Sequence, residues 1–509
     1  MLPHNLGYLF DVALALTPSK PAVFQGDAVL TFADLDARSN RAANALGGLG
    51  VGAGDRVALM FTNESRFLET LFGAMRLGAV AVPLNTRMGD EALRYVVEDA
   101  EARVLVAGAG MADRARALAP QVNGLKHLVV DGPTADRAVA YEPLLAAASP
   151  ALPRRQTDPD EICMQPYTSG STGKPKGVLL SHGGQLWNAD ILRKAMLCDD
   201  TERALIAVPL YHKNAMAGAV KPFLLAGGSL VILSDFDPLE VIRAIDRYQV
   251  TYLTGVPAMY RMILAEKEAL ARHDVSSVRY ALCGSAEVPD ELLAEFRRVF
   301  GAPIAESYGL TEGGPVPIVN TRWGLKRRGS CGMEFPGCDV KLVDEAGHSV
   351  PPGEVGELVT RNPGLAKGYW KLPEVTARKF RDGWLWTGDL MRRDADGYYY
   401  FVGRKDDMIN VAGENVYPKE VEDILLRHPN LRDACVVPAP HEVKGEVPVA
   451  FVVEREKGRT TEKQIKRFFL ERGAPYAHPR RVFVLDALPL GGTGKVDRVT
   501  LKARAREGA

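Results

Sequence analysis

Short apolar runs rich in β-branched residues recur through the first 300 residues, each followed by a stretch with helical character, and this alternation limits the fold more than any other feature. The runs include RVALMF (56–61), AVAVPL (79–84), ARVLVAG (102–108), KHLVVD (126–131), SLVILSD (229–235) and VTYLTGV (250–256), with helix-like stretches such as Arg66–Leu77 and Pro238–Tyr248 among them. Strands that are apolar on both faces need cover on both faces. The pattern therefore predicts an α/β fold with mainly parallel sheets sheathed by helices. From about Gly329 the texture changes, and CDVKLVDEAGHSVPPGEVGELVT reads as an antiparallel meander. A further change falls near GRKDD (403–407). Beyond it come a helix Pro418–Arg427, strands ACVVPA and VPVAFVVE, a helix Glu462–Glu471 and a strand RRVFVLD, a compact α+β pattern. The expected organisation is a large N-terminal domain over 1–403, with a small β-rich subdomain about 329–403, and a small α+β C-terminal domain over 404–509.

At 509 residues the chain is too long for one core, and two to four lobes are expected. Lys plus Arg and Asp plus Glu both number 63, so no charge excess points to nucleic acid or an anionic membrane. Six scattered cysteines without a CxxC pair read as reduced thiols, which places the chain in the cytoplasm rather than among disulfide frameworks or zinc sites. MLPHNLGYLFDVALALTPSK has no basic region ahead of its apolar stretch and carries Asp11 within it, so it is not read as a signal peptide. No uncharged apolar run approaches the ~20 residues of a membrane span.

The strongest local signal is YTSGSTGKPKG (167–177), flanked by the strand-like EICMQPY and GVLLSH. Three glycines and four hydroxyl residues between strands can turn backbone N–H groups and Oγ donors onto one anion. Lys174 and Lys176 add positive charge. The string is not a Walker A loop, because Lys174 is followed by Pro175 rather than Ser or Thr. Its bland reading is a flexible Gly/Ser surface loop; its specificity favours a phosphate loop.

This string resembles the phosphate loop of the adenylate-forming superfamily, which includes acyl-CoA synthetases, peptide-synthetase adenylation domains and beetle luciferases. The resemblance continues in order over essentially the whole chain, through PLYH (209–212), YGLTE (308–312), WTGDL (386–390), GRKDDMINVAGENVYPKEVE (403–422) and PLGGTGKVDR (489–498). It implies an AMP-forming acid–CoA ligase that uses ATP, Mg2+ and coenzyme A. A carboxylate would attack the α-phosphorus of ATP to give an acyl-adenylate, and a thiol would then displace AMP. Two anions at ~3.5 Å and an effective dielectric of ~20 repel by roughly 5 kcal/mol, so cations placed in advance are the first need.

The resemblance implies a role for each matched residue. Lys495 would bridge the carboxylate and the α-phosphate. Glu312 would ligate Mg2+, and Thr311 would sit beside the α-phosphate. Thr168, Ser169, Gly170, Ser171, Thr172, Gly173, Lys174 and Lys176 would hold the phosphates. Tyr308 and Gly309, with Gly284, Ser285 and Ala286 of CGSAEVP (283–289), would lie along adenine. Asp389 and Arg404 would hold the ribose. His212 would adjoin the acid, with a buried structural histidine as its bland alternative. Tyr211, Asn214, Gly218, Cys283, Gly313 and Gly314 would line the acyl pocket. Lys213 and Asn214 could answer a second polar group on the acid, although Lys213 is expected to face solvent. Asp406 would be the hinge, at 404–407, about which a mobile C-terminal domain rotates between the two steps. That rotation would carry Gly413 and Glu414 toward the pantetheine tunnel.

Other readings stay open at this stage. A stand-alone adenylation enzyme could load a carrier-protein thiol. Its amino-acid version is disfavoured because HKNAMAGA, after PLY, lacks an acid to bind the substrate amine. A luciferase-like oxygenase has no specific support, and intact Glu312, Asp389, Arg404 and Lys495 argue against a non-catalytic binding protein. The acid itself, whether short aliphatic, hydroxylated, aromatic or longer, is not fixed. A homo-oligomer and a lysine acetyltransferase acting on Lys495 also stay open.

Overall fold

A computed structural model describes residues 4–133, 138–169, 174–284, 288–314, 317–411, 414–490 and 496–507. The chain folds as two compact units. The first comprises Met1–Val340, Thr360–Trp386 and Gly397–Tyr399; the second comprises Lys341–Val359, Thr387–Asp396 and Tyr400–Ala509.

Two sheets organise the first unit. Among the described residues the larger has nine strands, in spatial order Met333–Glu334, Ile318–Val319, Ile304–Tyr308, Tyr280–Gly284, Tyr252–Gly255, Arg203–Ile206, Ser229–Ile232, Pro21–Gln25 and Ala28–Thr31. The six strands from Ile304–Tyr308 to Pro21–Gln25 run parallel. Antiparallel strands close both edges. The second sheet has seven strands among these residues, in order Leu180–Ser181, Ile162–Met164, Val80–Pro83, Arg56–Met60, Ala102–Ala107, His127–Val130 and Ala138–Ala140. Only its Leu180–Ser181 edge is antiparallel.

Parallel neighbours need long crossovers, which the helices supply. Val57, Ala58, Leu59 and Met60 are all 0% exposed. Burial on both faces is why such segments read as unbroken apolar runs. The α/β expectation holds, and each expected run contains an observed strand. The helix Pro238–Tyr248 shows how local sequence starts such an element. The Asp237 side chain accepts the Glu240 N–H at 2.9 Å, and Pro238 occupies the first turn, where its missing N–H leaves nothing unpaired. Val241, Ile242, Ala244 and Ile245 then bury one face.

A second helical run departs from regular geometry. Lys213–Ala215 and Lys221–Ala226 are α-helical, but Met216–Val220 between them forms a π-helical turn. Within it the Gly218 carbonyl accepts the Tyr252 hydroxyl at 2.8 Å. Such turns recur at functional sites, and no sequence pattern announced this one.

In the second unit, Ile409–Val411, Glu414–Val416, Leu431–His441, Gly445–Glu454 and Arg481–Val484 form one sheet. Leu431–His441 and Gly445–Glu454 make a long antiparallel hairpin, to which Arg481–Val484 adds in parallel. Helices Pro418–Leu426 and Glu462–Leu470 cover one face through Val421, Leu425, Ile465 and Phe469. The helix Arg498–Glu507 covers the other, setting Leu501 and Ala505 against Cys435, Val437, Val449 and Phe451. VPVAFVV is apolar throughout because it is enclosed between these layers. Residues 341–343, 355–359, 387–393 and 400–404 of this unit lie in the strands Asp339–Val343, Val355–Arg361, Trp384–Arg393 and Tyr399–Arg404. Among the described residues no helix is long and apolar enough to cross a membrane.

Candidate active site

The strands Tyr167–Ser169 and Pro175–Gly177 pair as a hairpin, with Thr168 opposite Lys176. Its tip, Gly170, Ser171, Thr172 and Gly173, lies outside the described residues. The base is firmly held. The Tyr167 hydroxyl donates to Asp99 Oδ2 at 2.6 Å and accepts from Gln165 Nε2 at 3.1 Å. Burial, with the Asp99 carboxylate alongside, raises the phenol well above its ordinary range, so Tyr167 remains a protonated anchor. The Lys174 ammonium lies 5.2 Å from the Tyr95 ring centre, and Lys176 is half-buried. Residues 367–370 run alongside, with Trp370 N–H bonded to the Gly177 carbonyl and Leu179 N–H to that of Gly368.

Glu312 sits in the 3-10 turn Thr311–Gly313, soon after the strand Ile304–Tyr308. Its Oε1 accepts the Thr168 hydroxyl at 3.3 Å and the Tyr369 hydroxyl at 3.0 Å. The fold thus joins the phosphate-loop strand to YGLTE. Gly314, at φ +88°, is glycine for a local reason: a Cβ there would lie 2.3 Å from the Gly364 carbonyl. Among the described residues no three His, Cys, Asp or Glu side chains group as a self-sufficient metal site. A single carboxylate suits a hard cation that arrives with phosphates and water as its other ligands, as Mg2+ does.

In the PLYH segment, His212 Nδ1 accepts the Asn214 N–H at 3.2 Å and caps the start of the helix Lys213–Ala215. Lys213 does not face solvent as expected. It is half-buried, and its ammonium donates to the Gly309 carbonyl of YGLTE. Asn214 Oδ1 accepts the Thr254 hydroxyl, and Asn214 Nδ2 stands 3.4 Å from the Gly255 carbonyl oxygen. Tyr211 is half-buried, and burial pushes its phenol up. Tyr308, at 9% exposure, closes its strand. Cys283 is corrected as a pocket residue. Successive strand residues face opposite ways. Leu282 faces Gly218, whereas Cys283 packs at 0% exposure in the cluster of Tyr260, Val288 and Phe296 on the other face. Ser285 and Ala286 lie outside the described residues, as do Pro315 and Val316 beyond Gly314.

The second unit holds its own group. The Thr387 hydroxyl donates to the Leu358 carbonyl at 2.7 Å and accepts the Asp389 N–H at 3.0 Å, fixing the TGD turn. Gly388, at φ +75°, supplies the left-handed residue and donates its N–H to Glu357 Oε1 at 3.0 Å. Asp389 is 4% exposed and pairs with Arg404, Nε to Oδ1, at 3.0 Å. The other Glu357 oxygen accepts the Lys405 ammonium at 3.2 Å. Asp406 is exposed in the 3-10 turn Lys405–Asp407, and Asp407 pairs with Lys502 at 2.7 Å. Glu414 is exposed on its hairpin, and Gly413 lies outside the described residues.

Lys495 also lies outside the described residues, but the residues flanking 491–495 do not. Leu490 bridges Val496, and Asp497 N–H bonds the Pro489 carbonyl at 2.8 Å. Arg498 next to it donates to Glu422 Oε1 at 2.7 Å and to the Val436 carbonyl at 2.8 Å.

Tyr369, Thr254 and Glu357 escaped sequence reasoning. Only Glu357 left a signal there, as a charge within the apolar run of Val355–Arg361, where five successive residues are buried.

The fold and this chemistry define an adenylate-forming enzyme. More narrowly, the chain belongs to the AMP-binding enzyme family, whose model matches residues 10–370, with the AMP-binding enzyme C-terminal domain matched over 420–495. It is 39% identical over 491 residues to a feruloyl-CoA synthase of an Amycolatopsis species, covering 96% of both chains. It is 36% identical to a medium/long-chain-fatty-acid–CoA ligase of Mycobacterium tuberculosis, covering 100% of this chain and 91% of that one. Among solved structures, an anthranilate CoA ligase in complex with anthranoyl-AMP superposes with a TM-score of 0.91 at 30% identity, covering 100% of this chain and 98% of that one.

Proposed function

We propose that this chain is an AMP-forming acid–CoA ligase. A carboxylic acid and ATP give an acyl-adenylate and pyrophosphate, and coenzyme A then displaces AMP to give the acyl-CoA. The observation that carries this reading is the bond between Thr168, on the phosphate-loop strand, and Glu312 of YGLTE, in a chain matched by both family models. In this reading the hairpin 167–177 holds the phosphates and Asp389 with Arg404 holds the ribose. Glu312 holds Mg2+, which when bound offsets phosphate charge; Lys495 supplies the second cation where carboxylate meets α-phosphorus. The attacking carboxylate needs no base, so His212 orients the acid rather than deprotonating it.

The thiol must enter where pyrophosphate left, which one fixed arrangement serves poorly. The reading therefore assigns residues 1–403 to a domain that keeps the adenylate and 404–509 to one that turns about 404–407, bringing the 411–415 segment to the thiol. Free coenzyme A is favoured over a carrier protein because the similar proteins are named as CoA ligases or synthases. The purified chain, given magnesium, ATP and a panel of acids, should exchange labelled pyrophosphate into ATP and release AMP continuously only when coenzyme A is present. Adenylation that stalls with coenzyme A and resumes with a carrier protein would count against the ligase reading.

A further inference from the structure

Asn214 sits where the π-distorted helical run begins. Its amide orientation follows from its partners. With Oδ1 on the Thr254 hydroxyl, Nδ2 stands 3.4 Å from the Gly255 carbonyl oxygen. The flipped amide would set two acceptor oxygens at that separation. An amide nitrogen has two N–H groups, and this one contact uses at most one of them, at the long end of the bonding range.

Beside that nitrogen the described residues leave room. Among them, chain neighbours aside, a methyl carbon built on Gly284 would meet nothing nearer than Asn214 Nδ2 at 3.7 Å and Ser307 Oγ at 3.9 Å. One built on Gly218 would touch Asn214 Oδ1 at 3.3 Å, Leu282 Cδ2 at 3.4 Å and Thr254 Oγ1 at 3.5 Å. The amide is therefore set between two glycines. Leu282 makes an apolar wall, and among the described residues the side over Gly284 is rimmed by an amide donor and a hydroxyl. Asn214 and Ser307 are both half-buried, so water competes weakly there.

We propose that this rim reads the body of the acid. The Asn214 amide donates to an oxygen acceptor carried by the substrate, and the Ser307 hydroxyl adds a second polar contact. The preferred class is then oxygenated acids, bearing hydroxyl, alkoxy or oxo groups, over hydrocarbon acids of the same shape. The inference rests on the ligase reading above. A hydrocarbon in this place leaves a desolvated donor without a partner, and sites built around a hydrogen bond discriminate strongly against analogues that lack it.

The test is acid-dependent pyrophosphate exchange by the full-length chain on matched pairs: benzoate with its hydroxy- and methoxybenzoates, cinnamate with its ring-hydroxylated and methoxylated forms, hexanoate with hydroxyhexanoates. At least one oxygenated isomer should exceed its parent about tenfold or more in kcat/KM. Asn214→Leu should collapse that ratio with the KM for ATP unchanged, and Ser307→Ala should lower it by less. Asn214→Asp, nearly isosteric and still able to accept from Thr254, should lose the preference for methoxy acids while keeping that for hydroxy acids. Parent and oxygenated acids reacting alike, or a ratio that survives Asn214→Leu, would overturn the inference alone. Absence of exchange with every acid would overturn the ligase reading and this inference with it.

Discussion

Glu312 is the carboxylate to which the strand Tyr167–Ser169 is tied in the first unit. Two hydroxyls, from Thr168 and Tyr369, converge on the same oxygen and set its direction. If that carboxylate holds the cation of ATP, Glu312→Gln keeps its shape but removes the charge. Pyrophosphate exchange should fall by roughly two to three orders of magnitude, the scale seen when one charge-stabilising group is lost. Tyr369→Phe removes a single orienting hydrogen bond and should cost about threefold to tenfold, with the loss concentrated in the KM for magnesium–ATP. Equal effects of the two changes would mean that Glu312 is only structural. Lys221 poses a different problem at the same scale. At 1% exposure its ammonium rests on Gln185 Oε1 at 2.7 Å and Asn188 Oδ1 at 2.8 Å, two neutral acceptors. Burial pushes its pKa down to about 7. The unfolded chain, with an ordinary lysine near 10.4, holds that proton more tightly from pH 7 upward, so stability should rise with pH in this window. Between pH 7 and 8 the gain is about 1 kcal/mol. That interval lies below the ordinary range of the neighbouring thiol Cys163, whose pKa burial raises to about 12. Lys221→Met should flatten this part of the melting-temperature profile; an unchanged slope would show that Lys221 does not titrate there.

At the scale of elements, Arg498, three residues after Lys495, is partly exposed and pairs with the buried Glu422. Burial raises the Glu422 carboxyl, while Arg498 and the Val436 N–H act to keep it ionised. Arg498→Met leaves that acid buried without its cation and should destabilise by less than the about 3–5 kcal/mol of a fully buried pair, because Arg498 is partly exposed, whereas the double change with Glu422→Leu should recover most of the loss. Denaturant melts of the single and double variants measure the difference. The elements themselves were largely legible beforehand, because strands enclosed on both faces cannot hide their composition. Arg56–Met60 and Gly445–Glu454 are clear examples. Asp389 and Glu312 could be singled out as candidates for another reason, since each lies inside a motif whose neighbours constrain it. Contacts closed by the fold were not. Tyr369 meets Glu312 across 57 residues and Thr254 meets Asn214 across 40, and neither spacing carries a local pattern. Cys283 was misplaced because alternation along Tyr280–Gly284 separates two faces without revealing which one meets the helical run after His212. The same ignorance of neighbours sent Lys213 to solvent, where the fold instead offers it the Gly309 carbonyl.

For the whole molecule, the proposed cycle asks one chain to stabilise two unlike transition states. Adenylation gathers anions and needs cations; thiol transfer needs a path for pantetheine and nothing in the place of pyrophosphate. If turning about 404–407 separates these demands, the two half-reactions must come apart under mutation. Lys495→Ala should slow pyrophosphate exchange by roughly three orders of magnitude, yet largely spare thioester formation from a supplied acyl-adenylate. Asp406→Pro should do the reverse. The residue is exposed within the turn Lys405–Asp407, so a proline there fixes φ without disturbing a core. Exchange should persist while acyl-CoA formation falls. Both variants would be assayed on the acid that the matched-pair screen selects, with rapid-quench measurement of each step. Equal loss in both steps for either variant would remove the case for rotation, and leave a single arrangement to explain how pyrophosphate and thiol share one place.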